Sequence, residues 1–269
     1  MTPARTPARF DDPQAYERFM GRWSAKLAPL FLDFVQVHDG DRILDVGSGT
    51  GNLALAIAER APNASLTGID PTAAFIAFAR RRTALPPQFR FEVGDLSSLR
   101  FADDSFDRGL CQLVLNFIPD CRGALATLCR VVRPGGTIGA VLWKLGNGMD
   151  MLDMFWQAVG PQRQDERSGE RSIAFSKEEI VTLWNEAGLT NVASADLAIK
   201  MDFASFDDYW SPFLLGQGPA GSYAASLTGD ERSAHQARLR GQLGITRADD
   251  PFSLTARAFA VCGTLAPRS

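Results

Sequence analysis

An α/β fold built on a mostly parallel sheet is what the sequence predicts, from two consecutive strand–helix units, a glycine-rich loop inside the first, and acidic residues closing successive apolar runs. Residues 42–46 (Arg-Ile-Leu-Asp-Val) read as a strand that ends in Gly47-Ser48-Gly49-Thr50-Gly51, and Asn52 to Arg60 then return to helical spacing. Ser65 to Asp70 read as the second strand and Pro71 to Arg82 as the second helix, with Pro71 suited to a first helical position. Phe89 to Val93 alternate like a third strand before Gly94-Asp95.

Phe106 to Leu115 form a fourth strand candidate, leading to a helix over residues 121–132. Arg133-Pro134-Gly135-Gly136 signals a turn that launches Thr137 to Trp143, whose nearly continuous apolar character fits a central strand. Ser176-Lys177-Glu178-Glu179 has capping-box spacing, and the helix it opens runs to Ala187 with Gly188 at the position after the cap. Residues 189–203 and 253–265 read as two further strands.

The 269 residues are expected to form a disordered leader over 1–15 and one domain over 16–269. Two stretches, about 145–172 and 204–250, fit no strand–helix unit and gather Phe155, Trp156, Phe206, Tyr209, Trp210, Phe213 and Tyr223. Insertions of that length are read as lids or binding loops, with surface helices that pack their aromatics inward as the alternative.

Composition narrows the function. A net charge of −3 lacks the basic excess that a phosphate backbone rewards, so no nucleic-acid partner is expected. Arg80, Arg81 and Arg82 are read as a solvated helix end. No apolar run approaches the roughly 20 residues needed to span a bilayer, and no signal-peptide core is present, so a cytoplasmic chain is expected. Cys111, Cys121, Cys129 and Cys262 form no C-x-x-C pair and are read as reduced packing residues. His38 and His235, the two histidines of the chain, are both read as surface residues.

In an open parallel sheet ligands bind beyond the carboxyl ends of the strands. Gly47, Gly49 and Gly51 stand there after the first strand, Asp70 after the second, Gly94 and Asp95 after the third, and Gln112 to Asn116 after the fourth. Glycines let a bulky group approach the backbone. Asp70 is placed to accept ribose hydroxyls, Asp95 an exocyclic amine, and Asp45 a cationic ammonium group. The G-x-G-x-G spacing is not the dinucleotide fingerprint, which favours a cofactor without pyrophosphate over NAD.

Ile43-Leu44-Asp45-Val46-Gly47-Ser48-Gly49-Thr50-Gly51, Gly68-Ile69-Asp70, Gly94-Asp95, Phe106-Asp107 and Leu128 to Gly136 occur in the order of the motifs of class I S-adenosylmethionine-dependent methyltransferases. The sequence resembles that family, most nearly its ubiquinone and menaquinone biosynthesis branch, over about residues 16–145. The resemblance implies a Rossmann-like sheet of seven strands, the last antiparallel, with helices on both faces and helical lid insertions. It implies S-adenosylmethionine as cofactor and S-adenosylhomocysteine as product. Asp45, Gly47, Ser48, Gly49 and Gly51 would shape the methionine pocket, Asp70 with its neighbour Pro71 the ribose site, Asp95 and Leu96 the adenine site, and Gln112 the sulfonium end.

Ser48 stands where relatives often have cysteine, and Asn116 where they often have histidine, which puts a base at that strand end in doubt. Tyr16 and Trp23 lie in a segment resembling one that folds over the cofactor in relatives. With Asn116, Tyr209 and Trp210 they are the candidate substrate contacts. The expected activity is methyl transfer to an apolar or aromatic small molecule by in-line displacement. A non-catalytic cofactor-binding protein and an NAD-dependent oxidoreductase on the same sheet are the alternatives.

Overall fold

The computed structural model describes residues 10–98, 100–159, 175–247 and 249–267. The chain divides into a sheet unit (residues 21–144, 175–199 and 257–269) and a helical unit (1–20, 145–174 and 200–256).

Seven strands make the sheet: β1 (Arg42–Val46), β2 (Ser65–Asp70), β3 (Phe89–Val93), β4 (Phe106–Gln112), β5 (Val132–Trp143), β6 (Leu189–Phe203) and β7 (Phe252–Leu265). Their order is β3-β2-β1-β4-β5-β7-β6. β1 pairs with β2 and β4, β2 with β3, and β4 with β5, all in parallel, whereas β7 runs antiparallel to β5. The order reverses at β1, between β2 and β4, which makes the carboxyl end of β1 the topological switch point. This is the expected α/β, Rossmann-like, seven-stranded, mostly parallel sheet, and β7 is the inserted final strand beside β6.

Helices cover both faces. Gly139 packs against Phe31 and Val35 of α2 (Arg22–Val35), and Gly109 against Leu128 of α5 (Cys121–Val131). Gly109 pairs with Ile138, the neighbour of Gly139, so the two glycines point to opposite faces. A Cβ on Gly139 would lie 2.6 Å from Val35 Cγ1, so glycine sets how closely α2 can approach. The core on the α5 side gathers Leu44, Val46, Leu125, Leu128, Ile138, Trp184 and Phe259. Trp184 donates its indole N–H to the Ile138 carbonyl at 3.0 Å.

Local expectations shift in four places. The helix α4 runs Ala73–Arg80, and Thr72, not Pro71, precedes it, because the Thr72 amide is taken by the Asp70 carboxylate. β4 stops at Gln112, since Leu113 adopts φ 60° and a 3-10 turn follows over Leu115–Phe117. The Pro134-Gly135-Gly136 turn lies inside β5 as a bulge: β4 pairs Phe106 with Val132 and then Arg108 with Thr137. The arginine cluster does not simply end a helix in solvent. Arg80 donates to the Phe91 carbonyl and Arg82 to the Thr50 carbonyl and Asn52 Oδ1. The Ser176–Glu179 capping box, the helix Lys177–Glu186 and Gly188 with φ 77° match their expected positions.

The helical unit holds α1 (Pro13–Tyr16), α6 (Asp150–Gln157) and helices over Phe206–Trp210, Gly218–Ser226 and Gly229–Leu243. The expected leader falls partly on residues 1–9 and the first insertion partly on 160–172, both outside the described residues; Asp12 caps α1. The aromatics pack on one another. Phe155 stacks on Phe213 at 4.4 Å between centroids, Phe203 on Phe252 at 5.1 Å, and Phe19 meets Phe213 edge-on at 5.1 Å. Tyr209 is buried and donates its hydroxyl to the Met151 carbonyl at 2.9 Å. Among the described residues no helix is long and apolar enough to cross a membrane.

Candidate active site

The candidate residues stand at or just beyond the carboxyl ends of β1, β2, β3 and β4. After Val46 the chain must leave the sheet within a few residues, and Gly47, Gly49 and Gly51 do so with φ of 70°, 52° and 86°. The Gly47 and Ser48 amides donate to the Ile69 carbonyl at 2.8 and 2.9 Å, which ties the loop to β2. A Cβ on Gly47 would stand 2.2 Å from Val114 Cγ2, whereas one on Gly49 would find nothing nearer than 3.9 Å. Gly47 is thus fixed by packing, and Gly49 leaves room beside the backbone.

Asp70 closes β2 and braces that loop. Its Oδ2 accepts the Gly49 amide at 3.0 Å and its Oδ1 the Thr72 amide at 2.8 Å. Burial raises its pKa, and the two amides work against that rise. The Thr72 side chain adds a further hydrogen bond to the carboxylate, which also opposes the rise. Pro71 beside it is exposed.

Asp45, on β1, is 1% exposed, and neither carboxylate oxygen has a hydrogen-bond partner. Burial first, and the nearby Asp70 charge second, push its pKa up to about 7. An unpartnered buried carboxylate is costly, and a cationic N–H donor is the group that would relieve it. Ser48 Oγ and Gln112 Oε1 are also buried without partners. Gln112 Nε2 is held by Ser24 Oγ at 2.8 Å and by the Ser24 carbonyl at 3.3 Å, so the side chain is oriented from α2.

Asp95, after β3, is exposed. Its Oδ1 accepts the Ser97 and Ser98 amides at 2.9 and 2.8 Å and the Ser97 hydroxyl at 2.7 Å. The Ser97 and Ser98 bonds lower its pKa to about 2, so it is ionised throughout the neutral range. Leu96 beside it is buried.

The structure places Asp45, Gly47, Ser48, Gly49, Gly51, Asp70, Pro71, Asp95, Leu96 and Gln112 in the sheet unit. Trp23 and Asn116 belong to it too: Trp23 is buried in α2 beneath the Arg22 guanidinium, 4.2 Å from the ring centroid, and Asn116 sits in the 3-10 turn after β4. Tyr16, Tyr209 and Trp210 belong to the helical unit. Tyr16 is half-buried with Phe10 at 6.0 Å, and Tyr209 spends its hydroxyl on Met151. Burial drives the Tyr209 phenol far above its ordinary pKa.

Sequence reasoning missed two positions. Arg82 holds the glycine loop through Thr50 at 2.5 Å and Asn52 at 3.0 Å, contacts across about 30 residues that no local pattern carries. His235 is not a surface residue but fully buried, on a helix whose polar sequence carries no signal of it.

The methyltransferase domain family matches residues 43–136, which takes in β1 to the first part of β5. The ubiquinone/menaquinone biosynthesis C-methyltransferase UbiE of Paracoccus denitrificans is 36% identical over 110 residues, 40% of this chain and 44% of that protein. The chain therefore matches less than half the length of this relative. The methyltransferase phqN of Penicillium fellutanum is 29% identical over 188 residues, 68% of this chain and 57% of that protein. Among solved structures, the phosphoethanolamine N-methyltransferase 2 of Haemonchus contortus in complex with phosphomonomethylethanolamine and S-adenosylhomocysteine superposes with TM-score 0.59 at 17% identity. It covers 95% of this chain and 57% of that one. At that identity the likeness is one of fold. Residues 43–136 thus carry a methyltransferase domain, and the sheet around it has the fold of solved methyltransferases.

Proposed function

We propose that the chain binds S-adenosylmethionine at the carboxyl ends of β1, β2 and β3 and transfers its methyl group to an apolar or aromatic small molecule. The buried, unpartnered carboxylate of Asp45 beside the glycine loop carries the reading. It answers to an α-ammonium, with Ser48 Oγ and Gln112 Oε1 as further unanswered polar atoms around the same strand ends. Asp70 accepts the ribose hydroxyls, and Asp95 with Leu96 receives the adenine edge and face.

When bound, the cofactor supplies a methyl carbon already electrophilic on its sulfonium. The chain has then to orient and to exclude water rather than to supply a nucleophile. Asp45 and Asp70 fix the two polar ends of the cofactor, Gln112 is held by Ser24 toward a fixed position, and Gly49 admits the ligand to the backbone. The acceptor class is supported by the buried aromatic content of the helical unit and by the quinone-pathway role printed for the Paracoccus relative.

Calorimetric titration with S-adenosylmethionine, S-adenosylhomocysteine and NAD tests the reading. Binding of both sulfur compounds, lost in Asp70→Ala, and methyl transfer to an aromatic acceptor are expected. Binding of NAD alone, or of none, overturns the cofactor assignment. Cofactor binding without transfer across an acceptor panel leaves a binding protein in place of an enzyme.

A further inference from the structure

Among the described residues, a further group of buried polar atoms without partners lies inside the helical unit. His235 is 0% exposed, and neither of its ring nitrogens has a hydrogen-bond partner. The rings of Phe155, Trp210 and Tyr223 surround it at 4.7, 5.6 and 6.0 Å between centroids. The indole N–H of Trp210 is likewise buried without a partner, as is that of Trp156, whose ring lies 5.6 Å from Tyr223. Four polar nitrogens are thus left unanswered in one aromatic cluster.

Packing alone gives no reason for them. Each buried, unmade hydrogen bond is a cost that leucine or phenylalanine filling the same volume would not carry. The helix that carries His235 is firmly formed, since Thr228 and Glu231 close a capping box at its start, so the histidine is held in place by ordered backbone. Tyr209 in the same unit shows what satisfaction looks like here, with its hydroxyl on the Met151 carbonyl.

We propose that this cluster is a recognition site for an aromatic compound carrying a hydroxyl group. The indoles can only donate, whereas a neutral imidazole offers one donor and one acceptor nitrogen. A hydroxyl both donates and accepts, so it answers an indole N–H and the imidazole acceptor together. A charged group is disfavoured, because the surround is aromatic and the histidine itself is kept neutral: burial, and then Arg238, lower its pKa to about 4. The rings around it offer edge and face contacts to a further ring. If the bound compound is also the methyl acceptor, the inference rests on the methyltransferase reading; the binding itself does not.

The chain has only two histidines, His38 and His235, which makes ring nitrogen resonance a direct test. The full-length chain, labelled with nitrogen-15 in its imidazoles, is titrated at pH 7 without cofactor with p-cresol, catechol and 2-naphthol, and with 2-methoxynaphthalene as the ether control. His38→Asn assigns the signals. Saturable movement of the His235 nitrogens by at least one hydroxyaromatic, with at least ten-fold weaker response to the ether and with His38 unmoved, is expected. Trp210→Phe, which keeps a ring in the cluster, should weaken the response at least ten-fold with an unchanged circular dichroism spectrum. Static His235 signals with all three compounds, or equal response to naphthol and its ether, overturn the proposal and leave an internal water only. Cofactor titration of the same samples separates the two readings, since its failure leaves the His235 response untouched.

Discussion

The Asp70 carboxylate spans from the end of β2 to the glycine loop, accepting the Gly49 amide on Oδ2 and the Thr72 amide on Oδ1. The residue proposed to hold the ribose therefore also sets the glycine loop proposed to admit the cofactor. Asp70→Asn puts an NH2 group against one of two N–H donors and should weaken S-adenosylmethionine binding by at least ten-fold, about 1.4 kcal/mol or more. It should lower Tm in the cofactor-free chain as well. Calorimetry and thermal melts of the same samples measure both, and unchanged affinity would remove Asp70 from the site.

Gly47 should tolerate no side chain. Its φ of 70° costs a non-glycine residue about 1–3 kcal/mol, and a Cβ would meet Val114 at 2.2 Å. Gly47→Ala should therefore destabilise by about 2–5 kcal/mol in urea melts, strain and overpacking together. Adding Val114→Ala should recover the steric part and leave the backbone part, so partial rescue is the expected signature.

Asp45 and His235 should tilt stability with pH in opposite senses. The folded pKa of Asp45, about 7, lies above its unfolded value near 3.9, so its contribution is fully present below that value and is lost as pH rises toward 7. The folded pKa of His235, about 4, lies below its unfolded value near 6.5, so its contribution is present above 6.5 and is lost as pH falls toward 4. At 1.36 kcal/mol per unit these amount to about 4 and about 3 kcal/mol at most. Wild-type stability should be nearly level between pH 4.5 and 6.5, that of Asp45→Asn should rise with pH, and that of His235→Leu should fall. Parallel slopes in the two variants would contradict one of the assignments.

Cofactor binding should release a proton near pH 6.5. Asp45 is about three-quarters protonated there when alone and ionised when an ammonium lies against it, so roughly three-quarters of a proton per site leaves on binding. Calorimetry in buffers of different ionisation enthalpy reads this number directly. Asp45→Asn should abolish the release and weaken binding together, and release that survives the substitution would place the proton elsewhere.

The strand ends were legible because their chemistry is local: the glycine loop, Asp70 and Asp95 each follow an apolar run, and the Ser176–Glu179 box announces its helix four residues at a time. What the sequence hid is non-local. Arg82 reads as one of three cations at a helix end until Thr50 and Asn52 are beside it. The helix Gly229–Leu243 is polar nearly all round and buries only His235 and Leu239, too narrow a stripe for periodicity to single out. Pro71 invites a helix start two residues early because the Asp70–Thr72 bond is a tertiary choice that propensity does not contain.

The contact between Arg82 and the Thr50 carbonyl bears on timing. A loop already held by a guanidinium, by Asp70 and by the Ile69 carbonyl has little freedom left to lose when a ligand arrives. Entry then proceeds at the pace of a correctly oriented encounter, and compounds that differ in how well they satisfy the proposed Asp45 and Asp70 contacts should differ mainly in how long they stay.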